Sequence, residues 1–246
     1  MFAKESLSVV FTGITNDSID LSVDILRYVT LPFLKNFGVG DASLIIKKRG
    51  AAPLGGGLIE FTCPIVRQLL PIHITDVGLI KRVRGVVFSA RISPTIITRV
   101  VDSARGVLNN LLPDVYIHAD HYKGAEGGKS PGYSLSLVAE STTGVLLSIE
   151  RTAGEADCGG VGQGGRPESP ELLGEEGAYR LLDEIRKGGV VDTSHQSLVL
   201  QLMVVCPEDV CKVRVRATSH RPSTQQNQIA FDTHLTSFPL SPLLSP

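Results

Sequence analysis

Arg49-Gly50-Ala51-Ala52-Pro53-Leu54-Gly55-Gly56-Gly57-Leu58-Ile59 is the stretch on which the reading of this chain turns. Three consecutive glycines follow an Arg-Gly pair and a proline. They lie between two apolar runs of strand character, Leu44-Ile45-Ile46-Lys47 and Leu58-Ile59-Glu60-Phe61-Thr62. Glycines permit positive φ and close approach of backbones, and they leave N–H groups free to point at a ligand. Two uses fit: a tight structural crossover between strands, or an anion cradle of Arg49, Gly50, Pro53, Gly55, Gly56 and Gly57 with the arginine at its mouth. A Walker A loop is excluded, because no Lys-Ser/Thr follows and no helix opens behind the glycines. Gly56 is expected in a conformation that tolerates a Cβ poorly.

Upstream, Leu7 to Thr12 reads as a strand, ended by Gly13 and the turn-and-cap cluster Thr15-Asn16-Asp17-Ser18. Ile19, Val23, Leu26 and Val29 then fall at helical spacing, extended past Pro32 by Phe33, Leu34 and Phe37 and closed by Gly38 and Gly40. With the two strands around the glycine loop this makes a β-α-β-β unit. Downstream a similar unit begins with Ile80–Ile92, extended, followed by a helix that starts at Ser93 and Pro94. Val115–His118, Tyr133–Glu140 and Val145–Glu150 read as strands, the last two joined by a turn at Ser141-Thr142-Thr143-Gly144. Residues 153–167 are Gly-rich and polar and read as a surface loop. Helices are expected over Ser169–Lys187, ending at Gly188-Gly189, and Thr193–Val205, with a last strand at Lys212–Arg216. From Ala217 the sequence loses any period and is rich in Pro and Gln, so 217–246 is expected to be a disordered tail.

The 246 residues suffice for a sizeable core, and 42% hydrophobic with 20% charged residues is ordinary for a globular protein. Lys+Arg (24) and Asp+Glu (25) nearly cancel, so contact with nucleic acid must come from local clusters. The clusters are Lys47 and Lys48 beside the glycine loop, Lys81, Arg82 and Arg84, and Lys123 and Lys129. They read as RNA contacts or as solvated surface charge. Cys63, Cys158, Cys206 and Cys211 show no C-x-x-C spacing and read as free thiols in a reducing compartment. The start Met1-Phe2-Ala3-Lys4-Glu5 lacks the pattern of a secretory signal, and no apolar run is long enough to span a bilayer, so no membrane partner is expected.

The glycine stretch resembles the signature of the RNA 3′-terminal phosphate cyclase family. Other stretches resemble that family in order. They are Thr12-Gly13-Ile14-Thr15-Asn16-Asp17 with Ser22-Val23-Asp24, Lys81-Arg82-Val83-Arg84-Gly85 and Asp102-Ser103-Ala104-Arg105. Asp120-His121-Tyr122-Lys123-Gly124 leads on to Gly128-Lys129-Ser130-Pro131-Gly132, and Gly188-Gly189 with Asp192 and Gln196-Ser197-Leu198 completes the series. The resemblance covers residues 1 to about 216 and points to the non-catalytic, cyclase-like branch. It implies an α/β (α+β) fold of repeated β-α-β-α-β-β-type units with a smaller inserted α/β domain. The expected boundaries are 1–77 for the first part of the cyclase-like domain, 78–152 for the insert and 153–216 for the second part. Against the family pattern, the chain is expected to lack an N-terminal portion and to diverge after Arg216.

The branch implies a ribosome-biogenesis factor acting in pre-rRNA processing and maturation of small-subunit (18S) rRNA, in the nucleus and nucleolus. Its implied partners are a nucleolar ribosome-assembly GTPase, pre-rRNA and the pre-ribosomal particle, with no cofactor and no metal. Two alternatives are an ATP-using RNA 3′-phosphate cyclase and a pre-rRNA endoribonuclease. Cyclases of the family carry AMP on a histidine, which must be accessible and neutral. The residue nearest that position is His220, in Ser219-His220-Arg221-Pro222-Ser223-Thr224, whose surroundings do not match. His118 and His121 flank Asp120 but fall short of a metal site, and His195 beside Asp192 reads as a cap or a solvent-facing group. No residue is assigned a catalytic role.

Overall fold

The structure, a computed structural model, describes residues 2, 4–153, 169–207, 210–215 and 228–232. Its first unit is the expected β-α-β-β. Strand β1 (Leu7–Gly13) pairs antiparallel with β3 (Gly57–Cys63), which pairs antiparallel with β2 (Ser43–Lys48), giving the order β1-β3-β2. Between β1 and β2 runs a helical segment of changing register: α1 (Val23–Ile25), a π turn over Leu26–Thr30, and α2 (Leu31–Asn36). Ser22 caps its start by accepting the Ile25 N–H. Pro32 has no N–H to offer the regular ladder, and the Leu31 N–H just before it reaches back five residues to Leu26. Phe33, Phe37 and Val39 from this segment enter the main core beside Cys63, Val66 and Leu69.

The second unit is a four-stranded sheet. Strand β5 (Ile80–Ala90) crosses through α3 (Pro94–Leu108) to β6 (Val115–Tyr122), which pairs parallel to it. Strands β7 (Gly132–Ser141) and β8 (Leu146–Thr152) follow antiparallel, in the order β6-β5-β7-β8. A parallel pair needs such a crossover, whereas β7 and β8 need only a turn, closed here by Gly144 N–H to Ser141 O. Helix α3 begins as expected, with Ser93 as its cap and Pro94 first, and buries Ile97, Val100, Ala104 and Leu108. Helix α4 (Pro170–Lys187), capped by Ser169 and ended by Gly188, packs on α3 and on the same sheet face.

Alternation along β7 separates the two faces of this sheet. Leu135, Leu137 and Ala139 belong to the apolar core. Ser134 and Ser136 are buried on the other side, against the first unit. There Asn16 Nδ2 donates to Ser134 Oγ at 3.1 Å, and the Ser22 N–H donates to the Glu150 carboxylate at 3.0 Å. Burial raises the Glu150 carboxyl above its ordinary value, and the hydrogen bonds from Ser22 offset this only in part.

A third sheet has the order β10-β9-β4, formed by β4 (His73–Ile74), β9 (Val210–Arg214) and β10 (Gln228–Asp232). Helix α5 (Gln196–Val205) precedes β9. The last expected strand, Lys212–Arg216, thus begins two residues earlier. Within the segment expected to be a disordered tail, residues 228–232 pair antiparallel with β9. The rest of that tail, and all of the expected loop 153–167 except Ala153, lie outside the described residues.

Candidate functional site

The arginine of the glycine stretch does not stand at a mouth. Arg49 is 3% exposed, and its guanidinium forks onto Asp24, 2% exposed, with both N–O distances 2.7 Å. The Nη2 atom also donates to Asp120 at 2.9 Å, and the guanidinium lies 5.3 Å from the centre of the Phe88 ring. Burial alone would make the cation harder to hold. The hydrogen bonds and charge of Asp24, followed by those of Asp120, more than reverse this and raise its pKa above the ordinary arginine value. One cation against two carboxylates gives the cluster a net negative charge, which disfavours an anion. Arg49 is thus turned into the fold and paired, rather than standing at the mouth of the glycine loop.

Around this ion cluster three backbone segments close into a knot. The Thr15 N–H donates to Gly50 O at 2.7 Å, and the Gly50 N–H donates to Thr15 Oγ1 at 3.1 Å. The Leu54 N–H donates to Ser130 Oγ at 3.0 Å, and the Lys129 N–H to Gly55 O at 2.8 Å. Gly55 (φ 62°) and Gly56 (φ 92°) are left-handed, as expected for Gly56. A Cβ on Gly55 would stand 2.7 Å from Gly13 O, and one on Gly56 3.2 Å from the Gly128 Cα. Hydrogen bonding here runs inward, between segments. Residues 13–24, 49–57 and 120–132, far apart in the chain and each within a family-like stretch, meet at this one place. Asp24 and Asp120, the partners of Arg49, were not singled out from sequence. Their signal was present: a carboxylate in each of two stretches that share one pattern with a single arginine.

The basic residues divide. Lys47 pairs with Glu60 at 3.3 Å, Arg82 donates to Glu140 at 2.6 Å, and Arg84 forks onto Asp114 at 2.7 and 2.9 Å. The Arg84 hydrogen bonds hold the Asp114 carboxyl below its usual range. Lys48, Lys81, Lys123 and Lys129 are exposed and have no ion pair among the described residues. Lys48, Lys123 and Lys129 sit on segments that meet at the knot. Lys81, Arg82 and Arg84 lie at the far end of β5.

Histidines follow the strand alternation. His118 is exposed, while His121 turns to the opposite face and shares a 2.8 Å hydrogen bond with Ser89 Oγ. His195 is buried rather than solvent-facing: its Nδ1 meets Asp192 at 2.7 Å and its Nε2 meets Thr30 Oγ1 at 2.8 Å. Asp192 also accepts the Ser148 N–H at 2.9 Å, so this polar chain ties the π turn, β8 and the start of α5 together. Burial, followed by the neighbouring Cys211, pushes the Cys206 thiol up to about 12. Such a thiol stays protonated at neutral pH and is a poor nucleophile. Among the described residues no group of three or more His, Cys, Asp or Glu side chains is placed to hold a metal, and no helix is long and apolar enough to cross a membrane. His220 lies outside the described residues.

Residues 75–186, from before β5 almost to the end of α4, match the family model of the RNA 3′-terminal phosphate cyclase (RTC) insert domain. The chain is 49% identical over 224 residues to the probable RNA 3′-terminal phosphate cyclase-like protein of Dictyostelium discoideum, covering 87% of this chain and 59% of that protein. It is 47% identical to the human RNA 3′-terminal phosphate cyclase-like protein, over 96% of this chain and 61% of the relative. It is 44% identical to the rRNA processing protein rcl1 of Schizosaccharomyces pombe, over 85% of this chain and 56% of that protein. Over these residues the chain belongs to the RNA 3′-terminal phosphate cyclase family. Two of these relatives are named cyclase-like and the third an rRNA processing protein. The chain spans about 60% of the length of the first two of these relatives.

Proposed function

We propose that this chain acts in ribosome biogenesis, as a pre-rRNA processing factor in maturation of the small-subunit rRNA, without end-cyclising chemistry of its own. The observation that carries the reading is the pairing of 44% identity to an rRNA processing protein with a family signature whose arginine is locked to two carboxylates. The partners in this reading are pre-rRNA, the pre-ribosomal particle and a ribosome-assembly GTPase, and the place is the nucleus and nucleolus. Depletion of the protein from cells should then raise small-subunit rRNA precursors at the expense of the mature RNA. Unchanged precursor levels would reject the reading.

Two outcomes follow in vitro. Incubated with ATP, magnesium and an RNA bearing a 3′-phosphate, the chain should yield no 2′,3′-cyclic ends above a buffer control. Cyclisation lost in His220→Ala would place the chain on the catalytic branch. RNA contact in this reading is local, through Lys48, Lys81, Lys123 and Lys129, the members of the basic clusters that are exposed and have no ion pair among the described residues. Binding of single-stranded RNA should therefore weaken with salt, the logarithmic slope being about −0.7 for each phosphate neutralised. A slope indistinguishable from zero would remove the lysines from the account.

A further inference from the structure

Between the π turn and the sheet face turned away from α3 and α4 lies a groove of about 380 Å³, whose lining does not include Arg49 or its partners Asp24 and Asp120. Its floor is apolar, made by Ile25, Val86 and Val138, and its sides carry Tyr28, Arg84, Tyr116 and His118. Strand pairing sets this arrangement. Tyr116 on the edge strand β6 lies opposite Arg84, and His118 lies opposite Val86, so all four side chains share one face. Tyr116 is 60% exposed and Tyr28 45%. The Arg27 guanidinium stands 5.6 Å from the centre of the Tyr28 ring, is exposed, and has no ion pair among the described residues.

We propose that this groove binds an unpaired nucleobase of single-stranded RNA, stacked on Tyr116 with Tyr28 on the opposite wall; the proposal rests on the RNA-processing reading above. The chemistry favours this occupant in three ways. Exposed aromatic rings on a sheet over an apolar floor accept the face of a base, and such stacking tolerates any sequence. Arg27, beside the Tyr28 ring and without an ion pair among the described residues, offers a cation to the adjoining phosphate. Arg84 donates to the Val83 carbonyl and pairs with Asp114, itself half-exposed, and an exposed ion pair of this kind yields readily to a competing anion. Paired bases of an A-form duplex hide their faces, so a duplex should not fit.

The test uses the full chain, a labelled oligouridine and a matching duplex, with binding read by fluorescence anisotropy. Tyr116→Ala should weaken oligouridine binding about tenfold, and Tyr116→Phe, which keeps the ring, should stay within about twofold. Arg27→Gln should weaken binding and lessen its salt dependence. Both tyrosines are surface residues, and unchanged thermal melting of the variants will exclude misfolding. An oligouridine containing 4-thiouridine, cross-linked by light, should label peptides that contain Tyr116 or Tyr28. Wild-type affinity in both Tyr116→Ala and Tyr28→Ala, equal affinity for the duplex, or cross-links confined to the 120–132 segment would overturn the groove. Such results in a chain that still co-purifies pre-rRNA would leave the functional reading standing. Loss of pre-rRNA from the wild-type chain in cells would remove that reading whatever the oligonucleotide shows.

Discussion

Arg49→Met is expected to destabilise the fold by about 3–5 kcal/mol, the usual effect of removing one partner from a buried ion pair. The loss arises mainly from what stays behind. Asp24 is 2% exposed and receives two of its hydrogen bonds from Arg49, so truncation strands a buried carboxylate. Arg49→Lys should not restore stability. A lysine ammonium is a point charge that cannot form the fork onto Asp24 while also reaching Asp120. Arg49→Met combined with Asp24→Asn should be less destabilising than the sum of the single changes, because the second removes the stranded charge. Arg84→Met, in an exposed pair, serves as the control and should barely alter urea unfolding. If Arg49→Met unfolded at the wild-type midpoint, the knot would not be the structural centre of this chain.

Gly55→Val should be as damaging. At φ 62° a β-branched residue is strained by about 1–3 kcal/mol. Its Cβ would also press on the Gly13 carbonyl at 2.7 Å, which is backbone and cannot swing aside. Gly56→Val shares the strain, at φ 92°, but meets its neighbours at 3.2 Å, so it should lose less. Gly144→Ala separates the two effects: it has φ 84° and open space around it, and should show the strain alone. Thermal melting of the four proteins checks the order. Equal melting temperatures for Gly55→Val and Gly144→Ala would show that the close approach of segments 13–15 and 49–57 contributes nothing.

These two results bear on what the sequence could reveal. Local signals were legible: Ser93-Pro94 opens α3, Ser169 opens α4, Gly188 closes it, and the Ser141–Gly144 turn joins β7 to β8. Each depends on residues within one turn of each other. The direction of Arg49 was not legible, because its partners lie 25 and 71 positions away and a strand-loop-strand pattern does not say which way a loop side chain turns. His195 failed for the same reason: a residue opening a helix beside Asp192 reads as a cap until Thr30, 165 positions distant, closes over it. The expected division places helix α4 in the segment 153–216, after the insert. The structure packs it on the β5–β8 sheet, where Leu173, Ala178 and Leu181 join the core. The Tyr28–Tyr116 groove had only a faint trace, an aromatic on the polar side of the alternation Val115-Tyr116-Ile117-His118.

The most direct test of the functional account is to tag the chain in cells, purify it under native conditions and sequence the RNA that accompanies it. The account predicts enrichment of precursors that span the small-subunit rRNA over mature rRNA, retained in His220→Ala and diminished in the destabilised Arg49→Met. Recovery of no pre-rRNA, or of RNA bearing newly formed 2′,3′-cyclic ends that disappear in His220→Ala, would contradict it.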